Sequence, residues 1–324
     1  MPVPRLSFIV PVRNDAVRLR TCLESIRASS ARFACEILVV DNGSTDNSAD
    51  VAKQAGARVI TMPGVRVSEL RNAAAREAAG GVLAFVDADH ELAREWTETA
   101  LSVLDDSTVS AVGAQCRAPA DGTWVQQMYD RLRRHEPGLR DVTWLPSGNT
   151  VIRKAAFQQV GGFDTTLETC EDVDLSQRLV AAGHRLVATD GLRSVHFGDP
   201  ATLKALFLGE LWRGRDNLRV TLRGPLTIRS LPSIAIPVLG LIGTAAIVLG
   251  AVLWPLLGIV PAFCGTVILA ALTAVRASAL LWQAEPLPIN SAVLGRAVVV
   301  AAAYNEARAL ALVARIGHDS RKRA

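Results

Sequence analysis

No charged residue occurs between Arg229 and Arg276. As an α-helix rising ~1.5 Å per residue, that run is more than twice the ~30 Å apolar core of a bilayer. One span cannot use it; two can. Its middle, Trp254-Pro255-Leu256-Leu257-Gly258-Ile259-Val260-Pro261, is turn punctuation. The run therefore reads as a transmembrane helical hairpin, with one span near 232–254 and another near 259–281. A buried hairpin of a water-soluble protein is the competing reading, but such cores rarely contain uncharged runs of this length.

The flanks orient the hairpin. Arg213, Arg215, Arg219, Arg223 and Arg229 precede the first span, and Arg276 lies near the end of the second. Arginines favour the cytoplasmic side, so both ends are expected there. The opening "MPVPRLSFIVPVRND" has too short an apolar stretch for a signal peptide. Residues 1–225 are thus expected to form one cytoplasmic domain. The segment 284–324 is mixed: Ala297–Tyr304 is apolar, but Asn305, Glu306, Arg308 and Arg315 interrupt it. A third span would place Glu306 and Arg308 deep in hydrocarbon. It would also carry the basic tail Arg321-Lys322-Arg323 to the outer side, so an interfacial amphipathic helix is expected instead. The net charge of +4 argues for no nucleic-acid partner, whereas the juxtamembrane arginines suit anionic or phosphorylated lipid. Five cysteines without a C-x-x-C pair read as reduced thiols.

The first 225 residues alternate. Ser7–Val12, Ile37–Val40, Arg58–Ile60 and Val82–Val86 are short apolar runs that read as strands. Between them, spacings such as Leu19, Cys22, Leu23 and Ile26 read as helices. The fold class is therefore α/β, a mostly parallel sheet covered on both faces. Ligands of such sheets sit beyond the carboxyl ends of the strands, where Asn14, Asp41, Asp87 and Asp89 fall. Asp87-Ala88-Asp89 sets two hard oxygen ligands close together, a donor set for Mg²⁺ or Mn²⁺. Glu171-Asp172 opens a further helix, where acidic residues favour the N-terminus. One of these carboxylates can instead serve as a general base. Gly148, in Pro146-Ser147-Gly148-Asn149, lets the backbone approach a ligand closely.

Five ordered stretches, "FIVPVRND", "LVVDNGSTD", "SELRNAAAREAAGGVLAFVDADH", "SGNTVIRKAAFQQVGGFD" and "CEDVDLSQRLVAAGH", together resemble the family 2 glycosyltransferases, which have the GT-A fold. The resemblance covers residues 5–225. It implies that Pro11, Arg13 and Asn14 lie at a nucleotide pocket and that Asp41 binds the base, usually uracil. It implies Arg71 near the phosphates, Asp87 and Asp89 as metal ligands, Gly148 and Asn149 at the donor sugar, and Asp172, beside Glu171, as catalytic base. It departs from the family at Asp15, where Glu is frequent, and at Asn42, where Asp is common. His196 is open between a site near the metal and a structural place at a strand end, and His90 reads as a helix cap.

The expected activity is inverting transfer from a nucleotide-diphosphate sugar, a UDP-sugar first, with Mn²⁺ or Mg²⁺. The acceptor would be lipid-linked or a glycolipid. The Gln-x-x-Arg-Trp motif of processive members is replaced by Leu211-Trp212-Arg213-Gly214-Arg215, so one sugar per acceptor is expected. A dehydrogenase is disfavoured because no G-x-G-x-x-G follows the first strand. A catalytically degenerate membrane-bound nucleotide-sugar sensor or scaffold is the remaining alternative.

Overall fold

The computed structural model describes residues 4–133, 136–228, 230–254, 257–282 and 290–314. The chain divides into two compact units. The first runs through Pro119 and resumes from 136 to Gly198; the second takes up the segment from Ala120 and everything described from Asp199 on. In chain order the elements begin β1 (Leu6–Val12), α1 (Ala16–Ser30), β2 (Cys35–Asp41), α2 (Ser48–Gln54), β3 (Arg58–Thr61), α3 (Val67–Glu77), β4 (Val82–Val86), β5 (His90–Leu92) and α4 (Trp96–Leu104). There follow β6 (Val109–Gly113), α5 (Trp124–Asp130), β7 (Leu139–Val142), β8 (Asn149–Arg153), α6 (Lys154–Gln159), α7 (Glu171–Ala181), β9 (Arg185–Thr189) and β10 (Ser194–His196). The helices α8 (Leu203–Arg213), α9 (Asn217–Arg223), α10 (Leu231–Val252), α11 (Ile259–Leu281) and α12 (Ser291–Leu310) complete the described chain.

An eight-stranded sheet of order β3-β2-β1-β4-β8-β6-β9-β7 forms the first unit's centre. The run β3-β2-β1-β4 is parallel throughout. Strand alternation sends side chains to two faces. Leu6, Phe8 and Val10 of β1 join Val82, Ala84 and Val86 of β4 in one core with Leu19, Leu23 and Ile26 of α1. Ile9, Leu83 and Phe85 point the other way, into a core with Leu70 of α3 and Leu175 of α7. β4 is buried along its whole length, which explains why its polar chemistry waits until Asp87. β8 runs antiparallel to β4, with Val86 opposite Asn149. That reversal brings Gly148, just before β8, to the same edge as Asp87. His90 opens β5, which pairs with β10 so that His90 faces His196; it is a strand residue, not the helix cap expected.

Residues 199–225 group with the C-terminal helices and not with the sheet. The reason is apolar: Val125 and Met128 of α5 and Leu206 of α8 share a core with Leu280, Ala297 and Val300. In this unit α10 and α11 are each long and apolar enough to cross a membrane. They approach through small residues: a Cβ on Gly250 would stand 2.6 Å from Ala262 Cβ, and one on Gly243 3.0 Å from Leu269 Cδ2. Pro237 lies inside α10 and has no N–H for the carbonyl of Ser233. Asn217 Nδ2 donates to that carbonyl instead, at 2.9 Å.

Helix α12 exposes apolar residues and buries polar ones. Leu294, Val298 and Val299 are exposed, whereas Asn305 is buried. Its polar groups turn toward neighbouring helices. Asn305 Nδ2 donates to Leu272 O at 3.0 Å, and Glu306 accepts from Thr244 Oγ1 of α10 at 2.9 Å. Arg308 Nε donates to Glu210 Oε2 at 2.8 Å. Glu210, 1% exposed, also accepts from Tyr129 OH and from Arg213. Arg213 is therefore engaged with an internal carboxylate. Arg229, Arg315, the basic tail 321–323 and positions 255–256 of the expected turn lie outside the described residues.

Candidate active site

The carboxyl edge of the parallel strands gathers the expected residues in three groups. In the first, Pro11 and Arg13, both half-buried, lead into Asn14, whose φ of 51° is left-handed. Asparagine tolerates that conformation because its short polar side chain bonds locally. Asn14 Oδ1 accepts from Thr45 N at 2.7 Å, and its N–H donates to Ser44 Oγ at 3.0 Å. Asp41, at the end of β2, accepts from Ser44 N at 3.1 Å and from the Ser44 hydroxyl. The β1 and β2 ends are thus tied into one wall. Asn42 is committed elsewhere: its amide both donates to Val65 O at 2.9 Å and accepts from Val65 N at 3.2 Å. An aspartate there would keep only the accepting half of that clamp.

The second group surrounds Asp87 and Asp89. Asp89 Oδ2 lies 3.2 Å from His196 Nε2, and the rings of His90 and His196 are 4.8 Å apart. One donor atom each from Asp87, Asp89 and His90 fall within 4.8 Å of one another. Burial works to raise the Asp89 carboxyl, but His196, with His90 and Arg18, outweighs it and holds the group far below the ordinary carboxylate range. Two glycines leave this space open. A Cβ at Gly148 would stand 2.5 Å from Asp87 Oδ2 and 3.3 Å from His90 Nε2; one at Gly198 would strike the Asp89 carboxylate and lie 2.9 Å from His196 Nε2. The donors and this room fit a hard divalent ion.

The third group is Glu171 and Asp172, placed at the start of α7 by Cys170, whose φ is 61°. Glu171 accepts from Arg71 Nη1 at 2.8 Å and from Ser147 Oγ at 3.2 Å. Arg71 Nη2 donates to Asp87 Oδ1 at 2.6 Å. The arginine is 3% exposed, so its charge is spent between the two acidic motifs. A buried guanidinium needs carboxylate partners, and both stand beside it. Asp172 lines a small, mainly apolar cavity with Phe163, Leu145 and Leu175. Burial, then the neighbouring charge of Glu171, raises its carboxyl to about 7, against the opposing bond from Val173 N and the charge of Arg71.

Asn149 does not offer its side chain to this space. It is 1% exposed; its Oδ1 accepts from Trp96 Nε1 at 2.7 Å, and its Nδ2 donates to Leu192 O and Ala114 O. Every polar bond of the amide is internal, so it braces β8 below the site. Trp96, Ser147 and His196 had no sequence signal that fixed a role. His196 had one partial cue, its place at the end of a short strand late in the unit.

Residues 7–165 match the family described as Glycosyl transferase family 2. These residues form a family 2 glycosyltransferase domain. The chain is 31% identical over 194 residues to a protein of Mycobacterium tuberculosis named pre-mycofactocin glycosyltransferase, covering 56% of this chain and 40% of that one. It therefore spans about two fifths of that relative's length. Glycosyltransferase AglE of Haloferax volcanii is 26% identical over 251 residues, 73% of this chain and 81% of its own. Among solved structures, a mannosyltransferase of Pyrobaculum calidifontis in complex with GDP-Man and Mn²⁺ superposes with a TM-score of 0.56 at 18% identity. The match covers 94% of this chain and 87% of that one. The fold is thus GT-A-like.

Proposed function

We propose that the chain is an inverting glycosyltransferase. It moves a sugar from a nucleotide-diphosphate sugar, a UDP-sugar first, to a hydroxyl or phosphate of a membrane-associated, lipid-linked acceptor. The observation that carries this reading is the joining of Asp87 and Glu171 through Arg71, which supports assigning metal and base to the two acidic motifs it links. Asp172 takes the acceptor's proton as its oxygen attacks the anomeric carbon. Attack from the face opposite the departing diphosphate inverts that carbon. Arg71 orients Asp87 and Glu171 without touching the donor, and Asp41, held by Ser44 N and Oγ, is assigned to the side of the base. Mn²⁺ or Mg²⁺ held by Asp87 and Asp89 would neutralise the diphosphate as it leaves.

Two features support a membrane setting. Helices α10 and α11 expose Ile242, Val248, Phe263 and Val267, and arginines cluster before the first of them. A hairpin of this kind tethers the domain at the inner leaflet, where a lipid-linked acceptor is concentrated.

The test is nucleotide-diphosphate release by the detergent-solubilised chain. It uses UDP-, GDP- and dTDP-sugars with lipid-linked and soluble acceptors, with and without Mn²⁺. Metal-dependent release from one donor, abolished by Asp89→Ala, is expected. Transfer only to a soluble acceptor would overturn the lipid assignment, and failure to bind any nucleotide would overturn the enzyme. Gly198→Val is expected to crowd Asp89 and His196 and to weaken Mn²⁺ binding by about 10–100-fold. The readout is the electron paramagnetic resonance of free Mn²⁺; unchanged binding would show that the cradle is not where the ion sits.

A further inference from the structure

A second donor set lies beside the acidic pair, with different chemistry. After β6 the chain passes Cys116 and forms a parallel bridge between Arg117 and Val195. Arg117 N donates to Ser194 O at 2.8 Å, and His196 N to Arg117 O at 2.9 Å. Side chains alternate along such strands, so Cys116 falls on the face opposite Arg117, the face of His196. The β5–β10 ladder puts His90 directly opposite His196, again on that face. One donor atom each from His90, Cys116 and His196 lie within 4.8 Å of one another. Three distant parts of the sequence therefore converge on one point.

We propose that His90, Cys116 and His196 form a site for a borderline-soft divalent cation, Zn²⁺, distinct in donor chemistry from the oxygen pair Asp87/Asp89. One thiol and two imidazoles make a set that Zn²⁺ prefers and Mg²⁺ does not. Bonds of about 2.0–2.3 Å in a tetrahedron require donors about 3.5 Å apart, so atoms already within 4.8 Å of one another need close by no more than about 1.3 Å. The half-buried thiol loses its proton to solvent as the sulfur–metal bond forms. Asp89 Oδ2, 3.2 Å from His196 Nε2, stands at the edge of the set. The exposed Cys264 and the remaining thiols, Cys22, Cys35 and Cys170, belong to no such set among the described residues. His90 belongs to both sets, so the two sites compete for one imidazole.

The experiment titrates the reduced, detergent-solubilised full chain with Co²⁺, then displaces it with Zn²⁺. The expected result is a sulfur-to-cobalt charge-transfer band with the visible bands of tetrahedral cobalt, both lost on adding Zn²⁺. Cys116→Ser is expected to abolish the charge-transfer band and to weaken Zn²⁺ binding by about 100-fold or more, beyond the effect of outer-shell changes. His90→Gln is expected to weaken binding while keeping the sulfur band, and Asp87→Ala to leave the band in place. No charge-transfer band in the wild-type chain, or a band that survives Cys116→Ser, overturns the proposal. Because the band is read without any sugar donor, its outcome is independent of whether the chain transfers sugar.

Discussion

Replacing Asp172 by Asn is expected to lower sugar transfer by about 10²–10⁴-fold, the range a positioned general base contributes, while leaving donor binding unchanged. The substitution is close to isosteric. The Asn Oδ1 can still accept from Val173 N, which now donates to Asp172 at 2.8 Å, so the first turn of α7 keeps its geometry. What is lost is the ability to hold a proton. Donor affinity by calorimetry and turnover with saturating acceptor separate the two effects. Normal turnover in the variant would remove Asp172 from the base role.

The same carboxyl sets the pH dependence. Burial, with the charge of Glu171 added, raises Asp172 to about 7. A base must be deprotonated to act, so transfer is expected to rise with pH through about 7 and then level. Stability follows the opposite course. The folded group titrates above its ordinary value of 3.8, so the folded state loses stability as pH climbs from there toward 7, where the unfolded chain is already ionised. Glu171→Gln removes the neighbouring charge and is expected to move the activity midpoint to lower pH. A midpoint that stays in place would show that Glu171 does not set it.

Much of this site could be read from the chain because its residues follow buried strands. Asp41 and Asp87 come where apolar runs stop, and a buried strand can place polar groups only past its end. The side-chain directions could not be read. Nothing local to Leu70-Arg71-Asn72 distinguishes an arginine facing phosphate from one facing inward; that depends on Asp87 and Glu171 arriving from elsewhere. Asn149 stands in a stretch that suggests a sugar contact, yet Trp96, Ala114 and Leu192 consume its amide. His196 meets Asp89 only because β10 pairs with β5, a contact too remote in sequence for any spacing rule. The unit boundary near 199 was hidden for a similar reason, since α5 and α8 pack through apolar residues that look like any other core.

Arg71→Met is expected to destabilise the sheet unit by about 3 kcal/mol. Breaking a buried ion pair by removing one partner costs roughly 3–5 kcal/mol, and the lower end applies because the Asp87 side chain is 35% exposed. Removing the guanidinium leaves Glu171, whose side chain is 13% exposed, with Ser147 Oγ as its remaining side-chain partner. The loss should be read from hydrogen exchange of the β4 amides, which reports this unit separately from the helices. Arg71→Lys is expected to recover only part, because an ammonium lacks the planar fork that reaches both carboxylates at once. Adding Glu171→Gln to Arg71→Met should restore part of the stability, since the charge left without its partner is gone. A different pattern would mark a different role. If Arg71→Met kept full β4 protection and lost only nucleotide affinity, the arginine would be a phosphate ligand after all, and the strut between the two acidic motifs would carry no weight in the fold.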